Sequence, residues 1–157
     1  MGGCSLKCAF DWTADVLLPG STKRAASRVL DDDTALSAWV APSVEASVGV
    51  RIRMNFPKKL RREEEGTIPL YGLDVVNGYW KTEELWQQHA RVKRTRLHYN
   101  EKPLCDISFA DSRRWQRVEF PDVFIKSGDT MTFEVLEVYP GKGAPLAITE
   151  LVLQGAH

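Results

Sequence analysis

The stretch VGVRIRMNF, residues 48–56, decides the fold. Val48, Val50, Ile52, Met54 and Phe56 alternate with Gly49, Arg51, Arg53 and Asn55. A β-strand sends successive side chains to opposite faces, so a period of two with one polar phase predicts a strand that packs on one side and meets water on the other. A helix would scatter the same apolar residues around its circumference.

The same signature recurs along the chain. LYGLDVV (70–76), TRLHYN (95–100), CDISF (105–109), WQRVEF (115–120), MTFEVLEVY (131–139) and AITELVL (147–153) all read as strands. Leu97 and Tyr99 oppose Arg94, Arg96 and His98, while Val118 and Phe120 oppose Arg117 and Glu119. MTFEVLEVY changes its apolar phase between Val135 and Leu136, which predicts a bulge. Turn residues separate the runs: Asn77-Gly78, Asn100-Glu101-Lys102-Pro103, Ser127-Gly128-Asp129 and Pro140-Gly141-Lys142-Gly143. Short strands so spaced, without a long amphipathic helix, predict an all-β sandwich. Helical spacing is confined to STKRAASRVL (21–30) and KTEELWQQHA (81–90), where Glu83 and Trp86 share a face with Tyr79. PKKLRREEEG (57–66) reads as a solvated connection that blunts a sheet edge. The length of 157 residues suits a single domain spanning 1–157, with residues 1–10 a loosely held extension.

Lys+Arg and Asp+Glu stand at 21 each, and the sequence pI is near 6.8. That balance argues against nucleic acid as the partner. No apolar run approaches the roughly 20 residues that span a bilayer, and the start MGGCSLKCAF has no apolar core of a signal peptide. Leu6 stands where N-myristoylation wants Ser or Thr. The three cysteines are an odd set. Gly3-Cys4 has the form of a lipoprotein cleavage remnant that would leave Cys8 and Cys105 to pair; the alternative is three idle thiols.

Catalytic signatures are missing from the sequence. No serine sits in a nucleophile elbow, and there is neither a glycine-rich phosphate loop nor an HExxH motif. His98, between arginines on a strand, reads as a surface residue.

Two stretches carry binding chemistry. NGYWKTEELWQQHARVK (77–93) sits between predicted strands, and so forms a loop over one end of the sheets. Sugar recognition asks for an aromatic face against a pyranose ring and planar polar groups for its hydroxyls. Trp80, Lys81, Trp86, Gln87, His89 and Arg91, with Gln88, are that chemistry. The competing reading anchors the loop through Tyr79 and Trp86 and leaves Trp80 as the exposed indole. Trp115, after Arg113-Arg114, is a second aromatic candidate on a separate loop. In LDDDTALSAWV (30–40) three adjacent aspartates suit either a solvated, capped turn or a calcium loop, and Trp39 beside them reads as core.

Leu30-Asp31-Asp32-Asp33 followed by Ser37-Ala38-Trp39 resembles the LDGDxxTxW signature of discoidin-like domains, the coagulation-factor type C, galactose-binding-like group. Asn77-Gly78-Tyr79-x-Lys81, Arg91-Val92-Lys93, Val138-Tyr139-Pro140-Gly141 and Ile148-Thr149-Glu150-Leu151 resemble its NAD-glycohydrolase-type glycan-binding (translocation) branch, over about residues 10–155. The resemblance implies a discoidin-like jelly-roll β-sandwich of about eight antiparallel strands. It also implies a secreted, cell-surface or periplasmic bacterial module that binds glycan through loops without catalysis. A structural Ca2+ would carry over to Asp31, Asp33 and Glu150, although Asp32 replaces the signature glycine and the segment to Trp39 is one residue longer.

A second function class rests on arginine. Arg51, Arg53, Arg94, Arg96 and Arg117 lie on the polar phases of their strands and could form one face that docks an acidic protein, or could simply pair with Glu119 and Glu134.

Overall fold

The structure is a computed structural model of the chain and describes residues 13–19, 24–26, 38–56 and 68–155. Among these described residues ten strands and one short helix follow in order: β1 Thr13–Leu17, β2 Arg24–Ala26, β3 Trp39–Val40, β4 Arg51–Asn55, β5 Ile68–Asn77, α1 Glu83–Gln88, β6 His89–Tyr99, β7 Lys102–Ser108, β8 Trp115–Ile125, β9 Thr130–Tyr139 and β10 Ala144–Gly155. They build two layers, β2-β1-β4-β9-β6-β7 and β3-β10-β5-β8. The layers join where β10 begins beside β6, with Ala144 opposite His89 and Leu146 opposite Ala90. That pair is parallel, so the jelly-roll sandwich departs from purely antiparallel pairing at this corner.

Alternation fills the space between the layers. Ile52, Met54, Val92, Leu97, Met131, Phe133 and Val135 point inward from the first sheet. Leu70, Leu73, Val75, Ile125, Ile148, Leu151 and Leu153 meet them from the second. Burying a side chain of this size stabilises by about 1.5–3 kcal/mol, which makes this interior the main support of the fold. Trp39 is buried with them, as its setting predicts. Val48 is half-exposed at 47%, so the alternation that begins at Val48 becomes a strand only from Arg51.

The turns follow the sequence signals. Asn100 and Glu101 both take positive φ (49° and 65°) in the two-residue connection between β6 and β7. The bulge expected near Val135 is present: Arg94 faces Glu137 and Thr95 faces Val135, leaving Leu136 without an opposite number. Of STKRAASRVL, residues Arg24–Ala26 are described, and they pair with β1 as a strand rather than forming a helix.

The arginine face also needs correcting. Arg117 lies on β8, in the other sheet from Arg51, Arg53, Arg94 and Arg96, and holds Asp74 through two bonds of 2.8 and 3.0 Å. Arg94 bonds Asp106 and Glu137, Arg96 bonds Asp106, and Arg53 reaches Glu101 at 3.5 Å. The carboxyl of Asp106 is held below the usual carboxylate range, first by its hydrogen bond from Arg96. Glu134 instead bonds His98 at 3.0 Å.

The register sorts the loops into two ends. Residues 41–50, 78–88, 109–114 and 140–143 gather where β5 and β9 finish and β6, β8 and β10 begin. Thr13 and Gly155 lie at the far end, paired with Asn55 and Leu70.

Candidate functional site

The gathered loops are held by residues that leave the sheet at Asn77. Its buried side chain accepts from the Val92 amide at 2.8 Å and donates to the Val92 carbonyl at 2.7 Å. One amide side chain thus replaces a missing strand neighbour at the start of β6. Gly78 follows at φ +81°, and a Cβ there would stand 2.7 Å from Arg91 Cγ and 2.8 Å from the Trp86 ring. Only glycine lets the chain turn out of β5 so close to both.

Thr149, buried on β10, fixes what comes next. Its hydroxyl donates to the Gly78 carbonyl at 2.6 Å and accepts from the Trp80 amide at 3.0 Å. Helix α1 then starts under a Thr82 cap, whose Oγ1 accepts from the Leu85 amide at 3.1 Å. A helix of six residues is too short to persist alone, so its anchors decide its position.

Trp86 and Arg91 are those anchors. The Trp86 indole donates to the Asn77 carbonyl at 3.0 Å, and the Arg91 guanidinium lies 4.2 Å from the Trp86 ring centroid. Arg91 also grips Asp111 through Nε at 2.9 Å and Nη2 at 3.0 Å, and its Nη1 donates to the carbonyls of Trp86 and His89 at 3.1 Å each. Its side chain is 9% exposed. The polar groups of these two expected ligand contacts are thus occupied within the protein. His89 is half-buried as well: its Nδ1–H donates to the Leu85 carbonyl at 2.9 Å, and its ring lies 5.0 Å from that of Tyr79. Gly141 closes the underside, where a Cβ would come 2.2 Å from the Gln88 carbonyl oxygen.

The outer rim carries the remaining expected contacts. Lys81 is exposed. Gln87 is exposed between Glu83, to which its amide donates at 3.0 Å, and Lys142, whose ammonium reaches its oxygen at 3.4 Å. Trp80 is half-buried at the edge. Its indole donates to the Arg113 carbonyl at 3.4 Å, and Arg113 Nη2 returns a bond to the Trp80 carbonyl at 2.6 Å. The Arg113 guanidinium stands 5.6 Å from the Trp80 ring centroid. Trp115, the first residue of β8 and 48% exposed, follows two positions after Arg113. The two aromatic candidates from separate loops therefore share one rim.

Sequence reasoning missed Asn77, Asp111, Arg113 and Thr149 as positioning residues. Only Asn77 gave a local signal, as the first half of Asn-Gly; the others act on partners 20 to 71 residues away.

For the expected calcium set, Asp31 and Asp33 lie outside the described residues, as do Cys4 and Cys8. Glu150 is described and buried at 1% exposure, on β10 two residues from Ile148, which pairs with Trp39. Among the described residues no group of three or more His, Cys, Asp or Glu side chains could hold a metal ion. Nor is any helix among them long and apolar enough to cross a membrane.

Comparison with solved structures finds the same fold at low identity. A CBM32 module (CBM32-3) of a family 31 glycoside hydrolase from Clostridium perfringens matches with TM-score 0.60 and 15% identity, over 90% of this chain and 91% of that one. The family 32 carbohydrate-binding module of the C. perfringens NanJ protein, in complex with galactose, matches with TM-score 0.58 and 12% identity, over 91% and 93%. A further CBM32 module (CBM32-5) from C. perfringens, in complex with GalNAc-β-1,3-galactose, matches with TM-score 0.57 and 15% identity, over 96% and 99%. The comparison with curated proteins finds no match. Residues 13–154 match the family model described as the NAD glycohydrolase translocation F5/8 type C domain, and the chain belongs to that family.

Proposed function

We propose that this chain is a non-catalytic glycan-binding module, secreted or displayed at the surface of a bacterium, with its binding site on the loops of the rim. The observation that carries the reading is Trp80, half-exposed at the rim, with its indole bonded to the Arg113 carbonyl and its backbone held by Arg113 and Thr149. A fixed aromatic ring beside hydrogen-bonding side chains suits a sugar ring, whose C–H face stacks while its hydroxyls find polar partners. Lys81 and Gln87 are the side chains that would meet those hydroxyls, with His89 behind them. Trp86 and Arg91 support the reading indirectly, because they hold the loop that presents Trp80. The solved sandwiches named as carbohydrate-binding modules, two of them in complex with galactose-containing sugars, agree with this choice of ligand.

In this reading Ca2+ is structural. Asp31, Asp33 and Glu150 offer the hard carboxylate oxygens calcium prefers, and a buried Glu150 suits a partly desolvated ion. When bound, the ion would stiffen the segment leading into β3; it has no part in chemistry. Docking of an acidic protein is the weaker reading, since Arg94, Arg96 and Arg117 already face carboxylates of their own chain.

Affinity electrophoresis through gels containing polysaccharides tests the proposal. The parent protein is expected to be retarded by at least one of a panel, and Trp80→Ala to migrate as in a blank gel. Free migration of the parent across neutral and acidic polysaccharides alike would sink it.

A further inference from the structure

Resting on that reading, we infer that the glycan held at this rim carries a carboxylate or sulfate, and that Arg114 and Trp115 receive it beside Trp80.

Among the described residues most guanidinium groups face carboxylate, and exposed Arg51 and Arg114 do not: Arg53 has Glu101, Arg91 has Asp111, Arg94 has Asp106 and Glu137, Arg96 has Asp106, and Arg117 has Asp74. Arg114 is exposed and has no carboxylate partner among the described residues. Its neighbour Arg113, half-buried, meets an exposed Glu83 only at 3.5 Å, so little of that charge is neutralised. Lys81, one residue from Trp80, is likewise exposed and unpaired among the described residues. Lys81, Arg113 and Arg114 thus bring positive charge to the loops that carry the two indoles, with Glu83 and Glu84 of α1 on the same rim.

Position supplies the rest. The carbonyl that receives the Trp80 indole belongs to Arg113, so Arg113, Arg114 and Trp115 leave from the edge of the Trp80 platform. Trp115 starts β8 with its backbone paired opposite Val76, so its exposed side chain leaves from the sheet rather than from a free loop. An indole to stack a sugar ring, with a free guanidinium next to it, matches a uronate or sulfated residue. The planar fork of arginine accepts either anion with two parallel bonds, which a hydroxyl cannot reproduce. A solubilising arginine would equally be exposed, but it has no need of two indoles within two residues of its neighbour's contacts.

Affinity electrophoresis with three polymers is the test: polygalacturonate for carboxylate, dextran sulfate for sulfate, and neutral galactan. The parent is expected to be retarded by one or both polyanions. Arg114→Gln should weaken that retardation about tenfold without moving the thermal midpoint. Trp115→Ala should weaken it too. Arg51→Gln, which removes an exposed charge from β4, should leave it unchanged. The inference is overturned if Arg114→Gln binds polyanions as the parent does, or if Arg51→Gln weakens them equally, which marks attraction to bulk charge. It is also overturned if the parent binds galactan alone, an outcome that leaves the module reading intact. Failure of the parent on all three sinks both.

Discussion

Arg113 and Trp80 hold each other from both directions. The indole N–H donates to the Arg113 carbonyl at 3.4 Å, while Arg113 Nη2 donates to the Trp80 carbonyl at 2.6 Å. The turn after β5 and the loop before β8 are thereby one surface. Arg113→Ala keeps that carbonyl but removes the guanidinium, and should loosen the ring with a modest stability loss, about 1 kcal/mol. Polysaccharide retardation should fall with it, and tryptophan emission should shift to the red. Unchanged binding would show that the pair is incidental to the site.

Arg91 tests the supporting layer beneath. Arg91→Ala removes a cation from over Trp86 and leaves Asp111 and two carbonyls without their donors. A loss of about 2–4 kcal/mol in urea unfolding is expected. Arg91→Lys should recover little, because a point charge cannot make the two bonds to Asp111 and reach both carbonyls.

Gly78 and Gly128 separate crowding from conformation. Both take positive φ, +81° and +82°, but nothing lies within 4 Å of a Cβ built at Gly128. Gly128→Ala should cost about 1 kcal/mol, the backbone strain alone. Gly78→Ala should cost clearly more, since the new carbon meets Arg91 and Trp86 at 2.7–2.8 Å. Equal midpoints for the two variants in denaturant would refute this account.

Much of the sandwich was legible because alternation is local. The phase change at Val135 and Leu136 even located the bulge. Phase reports a face but not a sheet, so Arg117 could not be separated from Arg94 by pattern. Strands β2 and β3, of three and two residues, are too short to carry a period of their own. The site divided in the same way. The aromatic loop was visible as composition, but Asp111 under Arg91 and Thr149 under Trp80 are tertiary partners, and no spacing rule reaches them.

Tyr99 and Asp129 make the stability of the far end depend on pH. The Tyr99 hydroxyl donates to Asp129 at 2.5 Å. Burial and that contact push the hydroxyl up to about 12 from 10.0. Burial opposes ionisation of Asp129, but the hydroxyl, the Lys126 amide and the Asn100 side chain outweigh it and hold the carboxyl below its ordinary 3.8. Tyrosine raised in the fold stabilises below pH 10, and that support is lost as pH climbs from 10 towards 12. Asp129, lowered in the fold, stabilises above about pH 4 and loses its support on acidification. Tyr99→Phe should lower the unfolding midpoint at pH 7 and flatten its alkaline decline. A parallel decline in parent and variant would contradict the assignment.

Calcium should act on stability alone. If Glu150 helps to hold it with Asp31 and Asp33, calcium at about one hundred times its dissociation constant adds roughly 2.7 kcal/mol. Glu150→Gln should abolish that gain in melting experiments. An identical response to calcium in parent and variant would exclude Glu150 from the set.

Thr149 has a mechanical consequence. It lies on β10, flanked by β3 and β5, and ties down both Gly78 and Trp80. The backbone that carries the indole is thus pinned to an interior strand, while the ring itself bonds the Arg113 carbonyl. If the rim holds a polysaccharide, a pull on the ring would be passed to β10 through the Thr149 bonds rather than to a loose loop. Anchorage to a moving or flowing surface is the setting in which such stiffness matters most.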